Sequence, residues 1–200
     1  MSDFTQSATQ ELLAHQEVMH PANVVGASVD CSTWISIEVT YWIGKIETTA
    51  NATGPACIIQ GSIETSGNDW FDLARFVGSI TAAETEVATA TEPIGETVIA
   101  VASTTNLVVG GLIYFKDDTS VATSEWGEIV AVATNASITL MDGLLVEKVA
   151  NDDIFTQAER FSALILCEGI KRIRACFVHQ AASGSDMRIK CTAVAATDIE

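Results

Sequence analysis

The sequence is short of positive charge. Its 10 lysines and arginines stand against 26 aspartates and glutamates, which gives a formal net charge of −16. A surface of this kind repels the phosphates of nucleic acids and the headgroups of anionic membranes. We therefore expect neither a nucleic acid nor a membrane as a partner.

Targeting signals and long apolar runs are also lacking. No apolar stretch approaches the roughly 20 residues that a membrane-spanning helix needs. The chain starts with polar and acidic residues, without a basic and then apolar leader. We accordingly expect the protein to be synthesised in a cytoplasm.

No residue pattern typical of catalysis is found. The chain has three histidines, and Cys176 and His179 lie three residues apart, which places them on opposite faces of a strand. There is no G-x-S-x-G motif, no phosphate-binding glycine loop and no zinc-ligand spacing. The acidic pairs at 117–118 and 152–153 are more typical of turns than of calcium sites. The sequence thus assigns no catalytic, cofactor-binding or metal residue, and we expect no enzyme and no cofactor.

Cysteine spacing gives no sign of a disulfide framework. The five cysteines are an odd number and form no short C-x-x-C pair. In a reducing cytoplasm such residues are most simply free thiols that pack as small hydrophobic side chains. They are Cys31, Cys57, Cys167, Cys176 and Cys191.

What the chain does have is the composition of a packed β protein. Hydrophobic residues make up 48% of it and charged residues 18%, and valine, isoleucine and threonine favour pleated sheets. Residues 34–43 alternate with period two, with Ile35, Ile37, Val39, Tyr41 and Ile43 on one face. Further strands are predicted at 56–64, 73–80, 98–103, 107–115, 126–134, 137–145, 151–155, 161–169, 171–180 and 187–196. In the last of these, Met187, Ile189, Cys191 and Ala193 alternate with Arg188, Lys190, Thr192 and Val194.

One helix is predicted, at residues 7–19, where Ser7 and Gln10 have the spacing of a capping box. Leu12 and Leu13 contribute to its thin apolar stripe. We interpret residues 1–21 as an N-terminal arm that lies either on its own domain or on a neighbouring subunit.

The length and spacing of the predicted strands change twice along the chain. Residues 81–97 are predicted to be a linker or exposed excursion, and a group of short strands follows it. We predict a discontinuous β-sandwich, jelly-roll-like, from residues 22–95 plus 160–200. A small β-barrel-like module, residues 96–159, is predicted to be inserted in it, because insertions are tolerated at loop tips.

Basic residues are concentrated near the C-terminus. Residues 1–159 hold 22 acidic and 4 basic side chains, whereas residues 160–200 hold 4 and 6. Either the C-terminal part contacts an acidic neighbour, or its cations lie on solvated strand faces and are balanced by acids of the same chain. The cations concerned are Arg172, Arg174, Arg188 and Lys190.

Tryptophans offer a possible sugar-stacking face at Trp34, Trp42 and Trp70. Trp34 and Trp42 share a strand face but lie eight residues apart, about 26 Å, so both cannot stack on one ring. They are better interpreted as core or interface anchors.

Residues 96–159 resemble a module of virion proteins of tailed bacteriophages. The matching stretches are LVVGGLIYF, EWGEIVAVA and SITLMDGLL. The flanking pieces, with NDWFDLARFVGSI and IKRIRACFVHQAASGSDMRIKCTAV, are similar to proteins that cement or decorate phage capsids.

The resemblance implies a non-enzymatic structural protein on the outer capsid surface. It would bind the major capsid protein and form a homo-oligomer. The alternatives are a phage tail or fibre component that binds a receptor or glycan, and a β-sandwich polysaccharide hydrolase.

Overall fold

A computed structural model of the protein describes residues 4–6, 9–19, 22–47, 54–79, 83–88, 91–117, 120–179 and 186–198. Antiparallel strands dominate, so the predicted all-β class is confirmed. No helix in this described part is long and apolar enough to cross a membrane. The elements are β1 Phe4–Gln6, β2 Gln10–Met19, β3 Asn23–Val25, β4 Val29–Asp30, β5 Trp34–Glu47, β6 Ala56–Ser62, β7 Phe71–Val77, β8 Ala83–Glu86, β9 Thr91–Glu92, β10 Val98–Ala100, β11 Leu112–Phe115, the 3-10 turn η1 Val121–Thr123, β12 Glu125–Ala133, β13 Ser137–Leu140, β14 Lys148–Val149, β15 Asp153–Leu166, β16 Arg172–Val178 and β17 Asp186–Asp198.

The large sheet is built around β17, which pairs with β2 on one side and β5 on the other. From β5 it continues through β15, β11, β12 and β13 to β10. The predicted alternation in β5 is confirmed, because Ile37, Val39, Tyr41 and Ile43 are all buried. Ile35, near the start of the strand, is 39% exposed. The alternation in β17 is confirmed in the same way by the buried residues Met187, Ile189, Cys191 and Ala193.

A smaller sheet packs face to face against the large one. Its order is β3-β16-β6-β7, and β4 also pairs with β16. Ile59 and Phe177 of this sheet are fully buried in the same apolar cluster as Ile37 and Tyr41 of the large sheet. The Tyr41 hydroxyl donates a hydrogen bond across the interface to the backbone oxygen of Cys176, at 2.7 Å. The main core therefore lies between two layers of strands.

A second buried cluster lies in the middle of the chain. Its members run from Val87 to Ile154 and include Ile113, Phe115 and Ile138. The main cluster draws on residues before and after this stretch, from Leu12–Ile59 and Ile165–Ala193. Along the chain, the second apolar core thus lies between the two parts that form the first.

Strand β15 joins the two cores. Its first half pairs with β11, and its second half, from Glu159, pairs with β5. Between them an extra residue on β15 breaks the register, and Gln157 adopts a positive φ of 61°. A bulge of this kind bends a strand and increases its twist. The two strands predicted at 151–155 and 161–169 are therefore one continuous strand.

The predicted helix at 7–19 is wrong. Residues 10–19 form β2, which pairs with β17. A register shift between the pairs Cys191–Leu13 and Thr192–Glu11 leaves Leu12 as an extra residue, so that consecutive leucines are both buried. In the sequence, these two adjacent leucines resemble part of the apolar stripe of a helix. In the structure, the side of β17 that does not pair with β5 pairs with this segment, which makes it a strand. Ser7 lies outside the described residues.

Two other boundaries differ from the prediction. The expected linker at 81–97 contains β8 and β9, and β8 pairs with β15. The predicted strand at 107–115 begins only at Leu112, because Gly110 takes a positive φ of 78° in a turn. This turn exposes Val108 and Val109 by 61% and 66%.

Candidate functional site

The outer face of the large sheet carries a row of four charged or aromatic side chains. Cross-strand pairing places Arg160 of β15 opposite Trp42 of β5, and Trp42 opposite Lys190 of β17. Lys190 in turn lies opposite the bulged stretch of β2 that contains His15. Because alternate residues of a strand share a face, all four lie on the side away from the main core.

Strands of the central segment pack onto one end of this row. The indole of Trp126 in β12 lies 4.7 Å from the His15 ring, 4.8 Å from the Tyr114 ring and 6.0 Å from Trp42, measured between ring centroids. Such tilted arrangements are favoured by the quadrupoles of aromatic rings. The guanidinium of Arg160 lies 5.2 Å from the centroid of Trp42.

A cleft of about 470 Å³ opens between this sheet face and the central segment. We call it the junction cleft. Its volume lies within the range of small-molecule binding sites, about 300–1,000 Å³. It is lined by Thr9, His15, Trp42, Ala122, Ser124, Glu125, Trp126, Leu145, Lys190 and Thr192.

The one carboxylate in this lining is already fully engaged. Glu125 pairs with the ammonium of Lys148 at 3.1 Å, and it accepts the backbone N–H groups of Leu145 and Val146 at 2.8 and 3.2 Å. Lys148 is 1% exposed, so the carboxylate is neutralised from the protein side. Its negative charge is therefore largely offset within the cleft wall.

The cations of this sheet face, Arg160 and Lys190 of the row and Arg188 two residues before Lys190 on β17, differ in their partners. Arg188 pairs with Glu17, and Arg160 pairs with Glu128 at 3.2 Å. Within the described part of the chain, the ammonium of Lys190 forms no ion pair or hydrogen bond. Among the described residues, Lys190 is thus the lining cation of the junction cleft that has no counter-charge.

His15 and Tyr114 form a hydrogen-bonded pair at the inner end of the cleft. The His15 Nε2 lies 3.1 Å from the Tyr114 hydroxyl. Burial, with the positive charges of Lys190 and Arg188, lowers the pKa of His15 to about 4. Burial raises the pKa of Tyr114 to about 12. At neutral pH both groups are therefore uncharged, and the tautomer of the imidazole decides which of them donates the hydrogen bond.

Two side chains that interact with His15 carry buried hydrogen-bond donors without an acceptor among the described residues. The Nε1–H of Trp126 and the Nε and Nη1 groups of Arg188 are buried with no acceptor among the described residues. Buried donors normally have a partner, whether protein, water or ligand. These donors lie in the wall behind the cleft rather than at its open surface, because their nitrogen atoms are inaccessible to solvent.

The residues considered for catalysis do not come together. Cys176 packs with Ala56 and Ile58, while His179 makes an edge contact with Phe177, 6.0 Å between centroids. All five cysteines are free and buried, as predicted. Burial raises the pKa of the thiols of Cys57, Cys176 and Cys191, which keeps them un-ionised at neutral pH.

The acidic turn residues act as turn formers. Asp117 accepts hydrogen bonds from the backbone N–H of Ser120 and the hydroxyl of Thr123. Asp152 accepts one from the backbone of Val149, and Asp153 pairs with Lys116 at 3.6 Å. Asp118 lies outside the described residues. Within the described ranges no three His, Cys, Asp or Glu side chains are grouped as a metal site would require.

The tryptophans separate into three environments. Trp34 packs against the main cluster, whereas Trp42 faces the junction cleft. Trp70 is covered by the guanidinium groups of Arg172 and Arg174, at 4.8 and 4.1 Å from its centroid. These two arginines therefore make contacts within their own chain.

Sequence reasoning missed His15, Trp126 and Lys190 as parts of one site. The outward position of Trp42 and Lys190 was readable from strand alternation. Their proximity to each other depends on the register of β5 with β17, and Trp126 comes from a segment more than 80 residues away from Trp42 in the chain. No local pattern carries that information.

Comparison of the chain with protein-family models, curated proteins and solved structures finds no match.

Proposed function

We propose that the protein is a non-enzymatic virion structural protein that binds and stabilises the capsid lattice of a tailed phage. Its partner is the major capsid protein, its place is the outer capsid surface, and it acts as a homo-oligomer. In this proposal the two packed sheets are a jelly-roll-like sandwich, and residues 96–159 form the inserted barrel-like module.

The observation that carries this proposal is a pair of exposed leucines. Leu164 and Leu166, on the outward face of β15, are 71% and 70% exposed. Residue Ile165 between them points into the main core. Adjacent exposed large apolar side chains on a sheet face are typical of protein-binding surfaces. The resemblance of the 96–159 segment to phage virion proteins supports a capsid lattice as the partner, and many copies on a lattice would add avidity.

The test is co-sedimentation with capsid shells assembled from the major capsid protein encoded in the same genome. The double variant L164S/L166S should lower the affinity for the shell by about tenfold or more, because burying a leucine side chain contributes roughly 1.5–3 kcal/mol. Ile63→Ser is the matched control, since Ile63 is also exposed, by 66%, but lies in the loop after β6. Equal binding of wild type and the double variant would contradict the proposed docking face, and no binding of wild type would contradict the function.

A second candidate is a tail or fibre component that binds a receptor or glycan. The junction cleft favours it, because Trp42 and Trp126 line one cavity together with hydroxyl groups. Immunogold labelling of virions separates the two candidates: label confined to tails supports the second, and label over the whole shell supports the first.

A further inference from the structure

We propose that the junction cleft binds a saccharide that carries a carboxylate, such as a sialic or hexuronic acid. This inference deepens the glycan-binding candidate and does not depend on capsid attachment. It rests on the charge, the aromatic surfaces and the threonine hydroxyl groups of the cleft, taken together with the way the floor of the cleft is built.

The charge of the cleft is opposite to that of the whole chain. The protein carries 26 acidic and 10 basic residues, yet Arg160, Arg188 and Lys190 lie on this one sheet face. The arginines are paired with carboxylates, and the lining carboxylate of Glu125 is held by Lys148. Lys190 remains to attract an anion, and a carboxylate is the group that an ammonium binds through charge-assisted hydrogen bonds.

Aromatic surfaces supply the apolar part of recognition. Trp42 and Trp126 meet at 6.0 Å with their planes inclined at 50°. Two inclined indoles form an angled wall rather than a flat slot. The C–H groups on one face of a pyranose ring pack against such a wall, while its hydroxyl groups point sideways.

The polar groups around this wall match a ring bearing several hydroxyl groups. Thr9 and Thr192 line the same cavity, and a threonine hydroxyl both donates and accepts hydrogen bonds. A sugar presents hydroxyl groups that exchange hydrogen bonds with those of the two threonines.

The floor of the cleft argues against an extended peptide. Peptides commonly bind by adding a strand to a free sheet edge, where backbone groups are available. Here β17 is paired on both sides, with β2 and β5, so Lys190 and Thr192 offer side chains but no free backbone edge. On this floor a ligand therefore contacts the side chains of β17 and not its backbone, which disfavours strand addition.

The experiment measures binding by ligand-detected NMR and by tryptophan fluorescence. The probes are N-acetylneuraminic acid, glucuronic acid, neutral N-acetylglucosamine and a hexaglutamate peptide. We expect the two acidic sugars to bind about tenfold more tightly than the neutral one. We also expect that raising the NaCl concentration from about 50 to about 500 mM weakens the binding of the acidic sugars. Lys190→Met should abolish this preference, whereas Lys171→Met should leave it intact.

Each other result overturns the inference. Equal binding of N-acetylglucosamine would remove the role of the carboxylate, and binding of hexaglutamate alone would replace the saccharide by an acidic peptide. Loss of binding in Lys171→Met as well would show an effect of net charge rather than of the cleft. Trp42→Ala must also weaken the binding of the acidic sugars. Its urea unfolding midpoint must stay within the range spanned by Lys190→Met and Lys171→Met. Absence of sugar binding leaves capsid co-sedimentation unaffected, so the two proposals fail separately.

Discussion

The ammonium of Lys148 lies 3.1 Å from Oε1 of Glu125, with both side chains largely withdrawn from water. Lys148 also donates to the backbone oxygen of Thr123 at 3.0 Å. This pair fixes the wall of the junction cleft, because Glu125 in turn holds the backbone of Leu145 and Val146.

Replacing Lys148 by methionine should lower the free energy of unfolding by about 3 kcal/mol, since it leaves the carboxylate of Glu125 without its buried counter-charge. Urea denaturation at pH 7 measures the change. Lys171→Met is the control and should change stability by less than about 0.5 kcal/mol. A loss as small as that of the control would show that the pair contributes no net stability.

Leu12 tests whether the N-terminal segment is an arm or part of the fold. Leu12 is 1% exposed within the main cluster, so Leu12→Ala should destabilise the protein by about 2–5 kcal/mol. Thermal unfolding and urea denaturation both report this loss. Glu11→Ala, at an exposed neighbouring position, should have little effect. If Leu12→Ala were as stable as Glu11→Ala, β2 would be a detachable arm.

Gly44 tests how closely Tyr114 packs against β5. A Cβ atom at Gly44 would lie 2.6 Å from Cγ of Tyr114, so the ring must move. Gly44→Ala should cost about 1–3 kcal/mol, as overpacking does. It should also change the fluorescence of Trp126, which contacts the same tyrosine ring.

The double variant G44A/Y114A provides the cross-check on this contact. Removing the ring should cancel part of the cost of the new methyl group, which gives a favourable coupling energy in a double-mutant cycle. Strictly additive losses would show that the two residues do not touch.

His15 should make stability depend on pH. Its pKa is about 4 in the folded protein and 6.5 ordinarily, so between these values the unfolded chain takes up a proton that the folded chain refuses. The free energy of unfolding must therefore fall as the pH is lowered from about 6.5 to about 4. Lys190, Arg188 and the Tyr114 hydroxyl face the imidazole, and the two cations strengthen this effect.

The measurement compares urea midpoints of wild type and His15→Gln at pH 7 and pH 5. The wild type should lose more stability on acidification than the variant, because glutamine does not titrate. Contributions from carboxylates are common to both proteins and cancel in the difference. Equal losses in the two proteins would contradict a lowered pKa for His15.

Much of the fold could be predicted because strand signals are local. The alternation of residues 34–43 and 187–196 identified β5 and β17 together with their buried faces. The helix prediction failed at Leu12 and Leu13, where a bulge buries two neighbours and removes the period of two. The site was not predictable, because its members come from four strands and meet only through register.

The sequence by itself determined the class of the protein: an acidic, all-β chain with buried free thiols. Composition and alternation suffice for that, since burial of one strand face is a local property. Only the tertiary structure decided that β2 belongs to the large sheet and that Trp42, Trp126, His15 and Lys190 share a cleft. The physical reason is that cross-strand pairing joins residues that are distant in the chain. One register is selected because it buries whole strand faces, and the free energy gained depends on many residues together rather than on single ones.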